Sequence, residues 1–381
     1  MGNNHPSMNH PTFSILRFAA FLLSIILFGY LMIIGKPIIV PLIFASFLAF
    51  LLKPLSTWFE KYLGNRMWAV ILSILSMLSV ICGVILIFGM QLGKIIGDFD
   101  NISKKLNQGL QQGFRLVGNL MGMRGDQVED WLTDNLSSWA DVPTQILTSG
   151  LGSSAVVLGS ILLCFIFVFF LLLYRTSFYQ FLLYQFDEDA RKKGGLMMRK
   201  VVKITKEYLN GLLLVILILA SLNTLGLYLI GIDLALFWGV LGAFLAIIPF
   251  IGTTLGGLLP AMFALANYGF SWQPLAVVIF YIIVQAIEGN IITPKVVGKS
   301  VRLNPFVAIL ALLVGGALWG IAGMILALPL MAVVKIFMSN VELLQPVSEL
   351  FRDDLYQRED VFREKYDEDR YRILHYFRQQ E

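Results

Sequence analysis

Ile247-Ile248-Pro249-Phe250-Ile251-Gly252, followed by Gly256, Gly257 and Pro260, interrupts an apolar stretch in the second half of this 381-residue chain. A second interruption reads Val314-Gly315-Gly316-Ala317-Leu318-Trp319-Gly320 and continues through Gly323 to Pro329. Between the two lies Gln285-Ala286-Ile287-Glu288-Gly289-Asn290, which puts an acid inside an apolar run. Lipid offers no hydrogen-bond partners, so a spanning chain is normally an unbroken helix. Breaks at membrane depth are tolerated only where the backbone packs in protein or lines a wet cavity. Paired Gly/Pro-interrupted segments therefore point to a transporter's binding site.

The rest of the chain fits that setting. Hydrophobic residues make up 57% of it and charged residues 14%, which excludes an ordinary soluble domain. The partner this composition demands is the lipid bilayer. A net charge of +4 is too small to mark a nucleic-acid binder. Cys82 and Cys164 both fall in apolar runs, so neither reads as a disulfide partner. The first apolar run is long enough to stay as an anchor, and no small-residue cleavage site follows it.

Six runs approach the ~20 apolar residues a crossing needs: Ser14–Ile34, Pro37–Leu52, Met67–Leu92, Ser154–Tyr174, Glu207–Ile230 and Pro274–Thr293. The second is short, carries Pro37 and Pro41, and reads as one arm of a tight hairpin with the first. Loop charges orient them. Arg175 to Lys206 holds eight Lys/Arg, Lys53 to Arg66 holds three against one acid, and Lys295, Lys299 and Arg302 are three more. The positive-inside rule makes these segments cytoplasmic, with both termini inside.

That parity forces Ile232–Tyr268 to enter and leave on the outer side within 37 residues, and Pro305–Met338 to do so from the inner side within 34. Two crossings and a turn need more than ~40. Both segments thus read as re-entrant or steeply tilted helical hairpins, in the manner of an inverted repeat. The fold class is an all-α polytopic membrane protein of about six transmembrane helices plus two broken hairpins. Its segments are 1–92, an extracytoplasmic part 93–153, a transport core 154–344 with hairpins at 232–268 and 305–338, and a tail 345–381.

In the outer segment, Phe99, Ile102, Leu106, Leu110, Phe114 and Val117 recur at helical spacing, and Asp126 with Glu129 resembles a capping box before Trp131. This predicts a small helical cap or a surface-lying helix. The tail carries seven Lys/Arg and ten Asp/Glu. Phe351, Phe362 and Ile373 stand eleven apart, as do Leu355, Tyr366 and Phe377. An eleven-residue period describes a nearly straight helical seam. A narrow stripe is marginal alone, so an oligomerisation helix and a solvated tail both stand as readings.

Glu288 carries the chemistry. Acids inside membranes usually face a cavity or a partner and mark an ion path. Helix geometry puts Gln285, Glu288 and Ile292 on one face with Thr293 beside it. A proton or cation relay and a structural cap on a broken helix are equally good readings. Pro249, Gly252, Gly315, Gly316 and Gly320 either free backbone groups for a ligand or let helices approach closely. Asp233 reads as an interfacial helix cap, and Asn223 and Asn210 as lesser sources of interhelical hydrogen bonds. His5, His10 and His375 lie outside the spans, and no H-E-x-x-H, C-x-x-C or phosphate-loop motif occurs. No catalytic residues, metal ligands or cofactor emerge, and transport driven by ATP on this chain alone is argued against.

The ordered series Ile248-Pro249-Phe250-Ile251-Gly252, Gln285 to Asn290, Thr293-Pro294-Lys295, Gly298, Asn304-Pro305, Gly315-Gly316, Gly320, Gly323 and Pro329 resembles the autoinducer-2 exporter family, also called PerM-like permeases. The resemblance covers about Leu16 to Lys335 and is strongest from Tyr208 onward. It implies a bacterial inner-membrane transporter. Members are linked to autoinducer-2 export or to sodium/proton exchange, and some to pentamers with an elevator-like motion. This chain departs from the pattern at Thr253, where many members have proline, and at Asn304, where many have histidine.

The combined expectation is an oligomeric secondary transporter for a small polar solute or a cation, H+ or Na+. Its site lies near the midplane at Glu288, with Gln285, Asn290 and Thr293 as polar contacts and the two broken segments as backbone. A sodium/proton antiporter and a non-transporting membrane scaffold are the rival readings.

Overall fold

The computed structural model describes residues 15–98, 101–109 apart from 103 and 107, 154–248, 251–296, 303–355, and 360–371 apart from 369 and 370. Among these residues every regular element is helical. They are α1 (Ile15–Ile34), α2 (Lys36–Leu63), α3 (Arg66–Gly97), α4 (Ser154–Leu173), α5 (Arg175–Tyr184), α6 (Glu188–Ile230), α7 (Ala235–Leu245), α8 (Ile251–Tyr268), α9 (Trp272–Ile287), a π-helical turn (Glu288–Ile292), α10 (Thr293–Val296), α11 (Pro305–Trp319), α12 (Ile321–Asn340), α13 (Gln345–Glu349) and α14 (Val361–Tyr366).

Among the described residues, seven helical stretches are long and apolar enough to cross a bilayer: α1, α2, α3, α4, α6, α9 continued to Val296, and α12. The chain is thus an all-α polytopic membrane protein. The two broken segments are helix pairs with unequal limbs. α7 and α11 have 11 and 15 residues, about 16 and 22 Å against a ~30 Å hydrocarbon core. α12, with 20 residues, is long enough to cross alone.

Three local expectations change. The junction between the first two runs is a single residue, Gly35, rather than a loop. Gly35 N–H donates to the Leu31 carbonyl and Ile39 N–H to the Gly35 carbonyl, both at 2.8 Å, so helical bonding passes through the junction. Pro37, without an N–H, leaves one donor of the ladder missing there. The basic segment Arg175–Lys206 is not a loop. It forms α5 and the first part of a 43-residue α6, because Lys, Arg and Glu are good helix formers. The tail's stripe is interrupted: Phe351 lies in a turn that continues through Asp354, between the short α13 and α14. Ile373 and Phe377 lie outside the described residues, as do Phe99, Leu110, Phe114, Val117, Asp126, Glu129 and Trp131 of the outer segment.

The chain divides into two compact units. The first comprises Met1–Val40, Phe181–Thr205 and Val301–Glu381, and the second Pro41–Gln180 and Lys206–Ser300. In the second, α2, α3 and α4 pack through Ala45, Ala49, Leu52, Val70, Cys164 and Val168. Ala45 and Ala49 let α2 approach its neighbours closely, and larger side chains such as Phe44, Leu48 and Phe167 fill the space around them. Cys82 and Cys164 are free thiols. Serines in α3 return their protons to the helix. Ser73 Oγ donates to the Ala69 carbonyl at 2.7 Å and Ser79 Oγ to the Leu75 carbonyl at 2.9 Å, which satisfies them without water. At one end Arg66 donates to the Leu172 carbonyl at 3.1 Å and to Thr176 Oγ1 at 3.3 Å, while Arg175 pairs with Glu60. The basic segments after α2 and α4 thus meet at the same end of this unit.

In the first unit α11 and α12 lie side by side, and Trp319 Nε1 donates to the Met32 carbonyl of α1 at 2.9 Å. Asn304 accepts from Phe306 N–H at 2.7 Å, capping α11, with Pro305 at the first helical position. Its own N–H donates to the Phe351 carbonyl at 3.1 Å and its Nδ2 to the Leu350 carbonyl at 3.2 Å. Lys335 Nζ reaches the same Phe351 carbonyl at 3.3 Å.

Candidate functional site

The α6 helix ends in a Schellman motif. Gly231 takes φ +84. Ile232 N–H donates to the Leu227 carbonyl at 2.9 Å, and Gly231 N–H to the Tyr228 carbonyl at 3.0 Å. Ile232 and Leu227 are buried together with Phe237, Trp238 and Phe263, which sets the direction in which α7 departs. Asp233 does not cap α7. The cap position is Leu234, without a side-chain bond, and the Asp233 carboxylate instead accepts from Tyr268 at the end of α8.

The α7–α8 crossing is tight enough to require glycine. A Cβ on Gly256 would lie 3.1 Å from the Gly242 Cα, and a Cβ on Gly252 would overlap the Leu245 carbonyl. Gly252 therefore shapes the tip by close approach. Pro249, three residues earlier, lies outside the described residues. α9 packs on α8 by laying the Tyr281 ring over Gly257.

Glu288 opens the π-helical turn that joins α9 to α10, and the Thr293 N–H donates to the Glu288 carbonyl five residues back. A π turn inserts one extra residue into the helical ladder and recurs at functional positions. Glu288 and Thr293 are half-buried, whereas Gln285 and Asn290 are exposed. Asn290 Nδ2 donates to the Ala286 carbonyl at 2.9 Å, within its own helix. Ile287 and Ile292, which flank and close the turn, pack with Val215, Ile216 and Leu219 of α6, with Ala243 of α7, and with Ala246 and Ile247 at the hairpin tip. The second unit thus brings the Glu288 turn against the first broken hairpin.

Gly315, Gly316 and Gly320 belong to the first unit. A Cβ on Gly315 would come within 2.5 Å of the Gly323 carbonyl oxygen, and one on Gly316 within 2.7 Å of Met324 Cε. Gly320 turns the chain between α11 and α12 at φ +66. In this unit these glycines are packing and turning residues.

Sequence reasoning missed a second set of polar groups. Asn223 on α6 is 3% exposed, and neither its Oδ1 nor the buried hydroxyls of Thr224 and Tyr281 has a hydrogen-bond partner among the described residues. Tyr281 Oη, the Gly256 carbonyl oxygen and Asn223 Nδ2 lie 3.2, 3.3 and 3.4 Å from the point where Gly242 would carry a Cβ. Asn223 was flagged by its polarity in an apolar run, but nothing in the sequence pairs it with Tyr281. Asn210, the other asparagine of that run, is exposed. Thr224 also lines a cleft of about 680 Å³ whose polar lining further includes Gln91, Ser221 and Asp233. Among the described residues no group of three or more His, Cys, Asp or Glu could hold a metal ion.

Comparison with known proteins agrees with this architecture. Residues 20–342 match the family described as AI-2E family transporter. The chain is 29% identical to YueF of Bacillus subtilis over 79% of its own length and 83% of that protein. It is 27% identical to the AI-2 transport protein TqsA of Escherichia coli, over 86% of this chain and 95% of TqsA. YrrI of Bacillus subtilis is 37% identical over a shorter region, 41% of this chain and 43% of YrrI. With a family match across most of its length, the chain belongs to the AI-2E family of transporters.

Proposed function

We propose that this protein is a secondary transporter of the bacterial inner membrane that exports a small polar solute, with autoinducer-2 the first solute to test. The named role of TqsA supports that choice. One observation carries the reading. A half-buried carboxylate, Glu288, begins a π-helical turn within a membrane-length segment, beside the tip of a broken helical hairpin. Ionisable groups at membrane depth are costly, and a broken ladder leaves backbone groups free to meet a ligand. In this proposal Glu288 relays a cation, H+ or Na+, while Gln285, Asn290 and Thr293 offer polar contacts and Pro249, Gly252, Gly315, Gly316 and Gly320 shape the broken backbone. A homo-oligomer, a pentamer among the candidates, and an elevator-like movement belong to the proposal on the family resemblance alone. Cytoplasmic termini belong to it on the charge pattern.

The test is flux in proteoliposomes, with wild type and Glu288→Gln compared under imposed sodium and proton gradients and with autoinducer-2 supplied. The proposal expects wild-type solute flux that falls at least about tenfold in an intact Glu288→Gln protein. Unchanged flux in the variant removes the relay role. Ion exchange without solute movement replaces the exporter by an antiporter, and no flux from an intact wild type favours a scaffold.

A further inference from the structure

The cleft beside the end of α6 plays no part in the Glu288 proposal. Its walls come from α3, α6 and α7 of the second unit, and it holds about 680 Å³. Small organic ligands occupy pockets of ~300–1,000 Å³. Most of its lining is apolar, including Ala220, Leu225, Ile232, Leu236 and Val240. The Glu288 turn packs on Val215, Ile216 and Leu219, earlier on the same α6. Asp233 follows the last residue of that helix, Ile230, which is about 16 Å beyond Leu219 along the axis. The two acids therefore serve different places.

Among the described residues that line the cleft, Asp233 is the one with a charge, and Gln91, Ser221, Thr224 and Tyr228 are polar but neutral. The carboxylate is held in position. The turn at Gly231 sets the backbone that leads to it, and Tyr268 donates to its Oδ2 at 2.9 Å. Asp233 is nonetheless exposed, which leaves it open to a ligand. A single negative charge at the end of an apolar trough suits a cation with an apolar body. Tyr228, exposed in the same lining, offers an aromatic face to that cation. Leu225 and Leu236 are exposed as well, so an apolar molecule can enter between them. Two other occupants fit less well. A phospholipid brings a phosphate, and no Lys, Arg or His stands among the described lining residues to meet it. A bare metal ion would find one carboxylate and leave the apolar walls unused.

We propose that this cleft binds an amphiphilic organic cation, with its charged nitrogen at Asp233 and its apolar body along α6 and α7. The inference goes beyond the proposed export reaction and does not depend on it.

The test is binding of ethidium, a fluorescent organic cation, to the full-length protein in lipid nanodiscs, read as fluorescence polarisation against empty nanodiscs. Dodecyltrimethylammonium, dodecanol and dodecyl sulfate serve as competitors that share a chain and differ in charge. The expected result is saturable binding that only the ammonium compound displaces. Asp233→Asn, which keeps an acceptor for Tyr268, raises the dissociation constant about tenfold. Ser221→Phe, which fills the cleft from an exposed position, removes binding. If Ser221→Phe is not monodisperse, Asp233→Asn and the competitors decide. Polarisation no higher than in empty nanodiscs overturns the proposal. Equal displacement by all three competitors also overturns it, since that describes partition onto an apolar surface. An unchanged dissociation constant in Asp233→Asn does the same. Native mass spectrometry of the purified protein tests for lipid. A phospholipid held by the wild type, lost in Ser221→Phe and blocking ethidium would replace the cation as occupant. Cation binding without solute flux leaves this site standing and defeats export, whereas Glu288-dependent flux without cation binding does the reverse.

Discussion

Tyr268 and Asp233 close the base of the α7–α8 hairpin: the phenol oxygen lies 2.9 Å from Asp233 Oδ2 and accepts from the Asp233 N–H at 3.1 Å. The Gly231 carbonyl lies 3.0 Å from the same hydroxyl. One side chain at the end of α8 therefore holds the segment that leads into α7. Tyr268→Phe is expected to lower stability by about 0.5–1.5 kcal/mol, the usual net worth of such bonds. Asp233→Asn, whose amide oxygen can still accept, should cost less. Thermal unfolding in detergent checks the order. Equal stability of Tyr268→Phe and wild type would show that the base is held by packing alone.

The glycines separate into two classes that a substitution series resolves. A Cβ at Gly252 overlaps the Leu245 carbonyl, and one at Gly323 overlaps the Gly315 carbonyl. In both cases rigid backbone is the obstacle, so Gly252→Ala and Gly323→Ala should cost more than about 2 kcal/mol, as overpacking does. Gly83 has nothing within 4 Å of a built Cβ. Gly83→Ala should be neutral or raise stability by up to about 1 kcal/mol through helix propensity. The readout is the yield of monodisperse protein and its unfolding temperature. Three indistinguishable variants would remove the close-approach account of the broken segments.

What the sequence showed and what it hid follow from range. The apolar runs, the two interruptions and the acid between them are local patterns, and each reappears as helices, unequal helix pairs and a turn inside a membrane-length segment. Asn223, Gly242, Gly256 and Tyr281 lie on four different helices, so their convergence depends on packing that no spacing rule encodes. Asp233 was legible as a polar residue at a boundary, but its partner is 35 residues away. The basic stretch Arg175–Lys206 departs from a loop because lysine, arginine and glutamate continue a helix readily, which extends α6 to 43 residues.

The structural work of Asn304 is capping. It accepts from the Phe306 amide and binds the Leu350 and Phe351 carbonyls. Asn304→Ala should destabilise α11 by about 1 kcal/mol, a typical cap loss. It should also raise amide hydrogen exchange across 345–351, whereas Asn304→Asp should keep the cap and lose only the Nδ2 bond. Exchange measured by mass spectrometry on those peptides is the check. Unchanged protection in Asn304→Ala would mean that Lys335 and packing hold the segment without it.

The π-helical turn gives the sharpest separation of fold from function. Such a turn carries one residue more than the α-helical ladder around it. Gly289 is exposed, and nothing lies within 4 Å of a Cβ built on it. Deleting Gly289 therefore removes the extra residue at the position with least packing to lose. The α9–α10 ladder should close into regular α-helix, with Val284 and Ile292 kept near the core they now share. Stability should stay within about 1 kcal/mol of wild type or rise, since a π turn is replaced by ordinary α-helix. Backbone groups freed by the turn would be tied up again, and Glu288 would lose its place at the break. Transport in proteoliposomes should then fall at least as far as in Glu288→Gln. A deletion variant that folds and transports at the wild-type rate would assign the π turn to packing and leave the carboxylate to act without it.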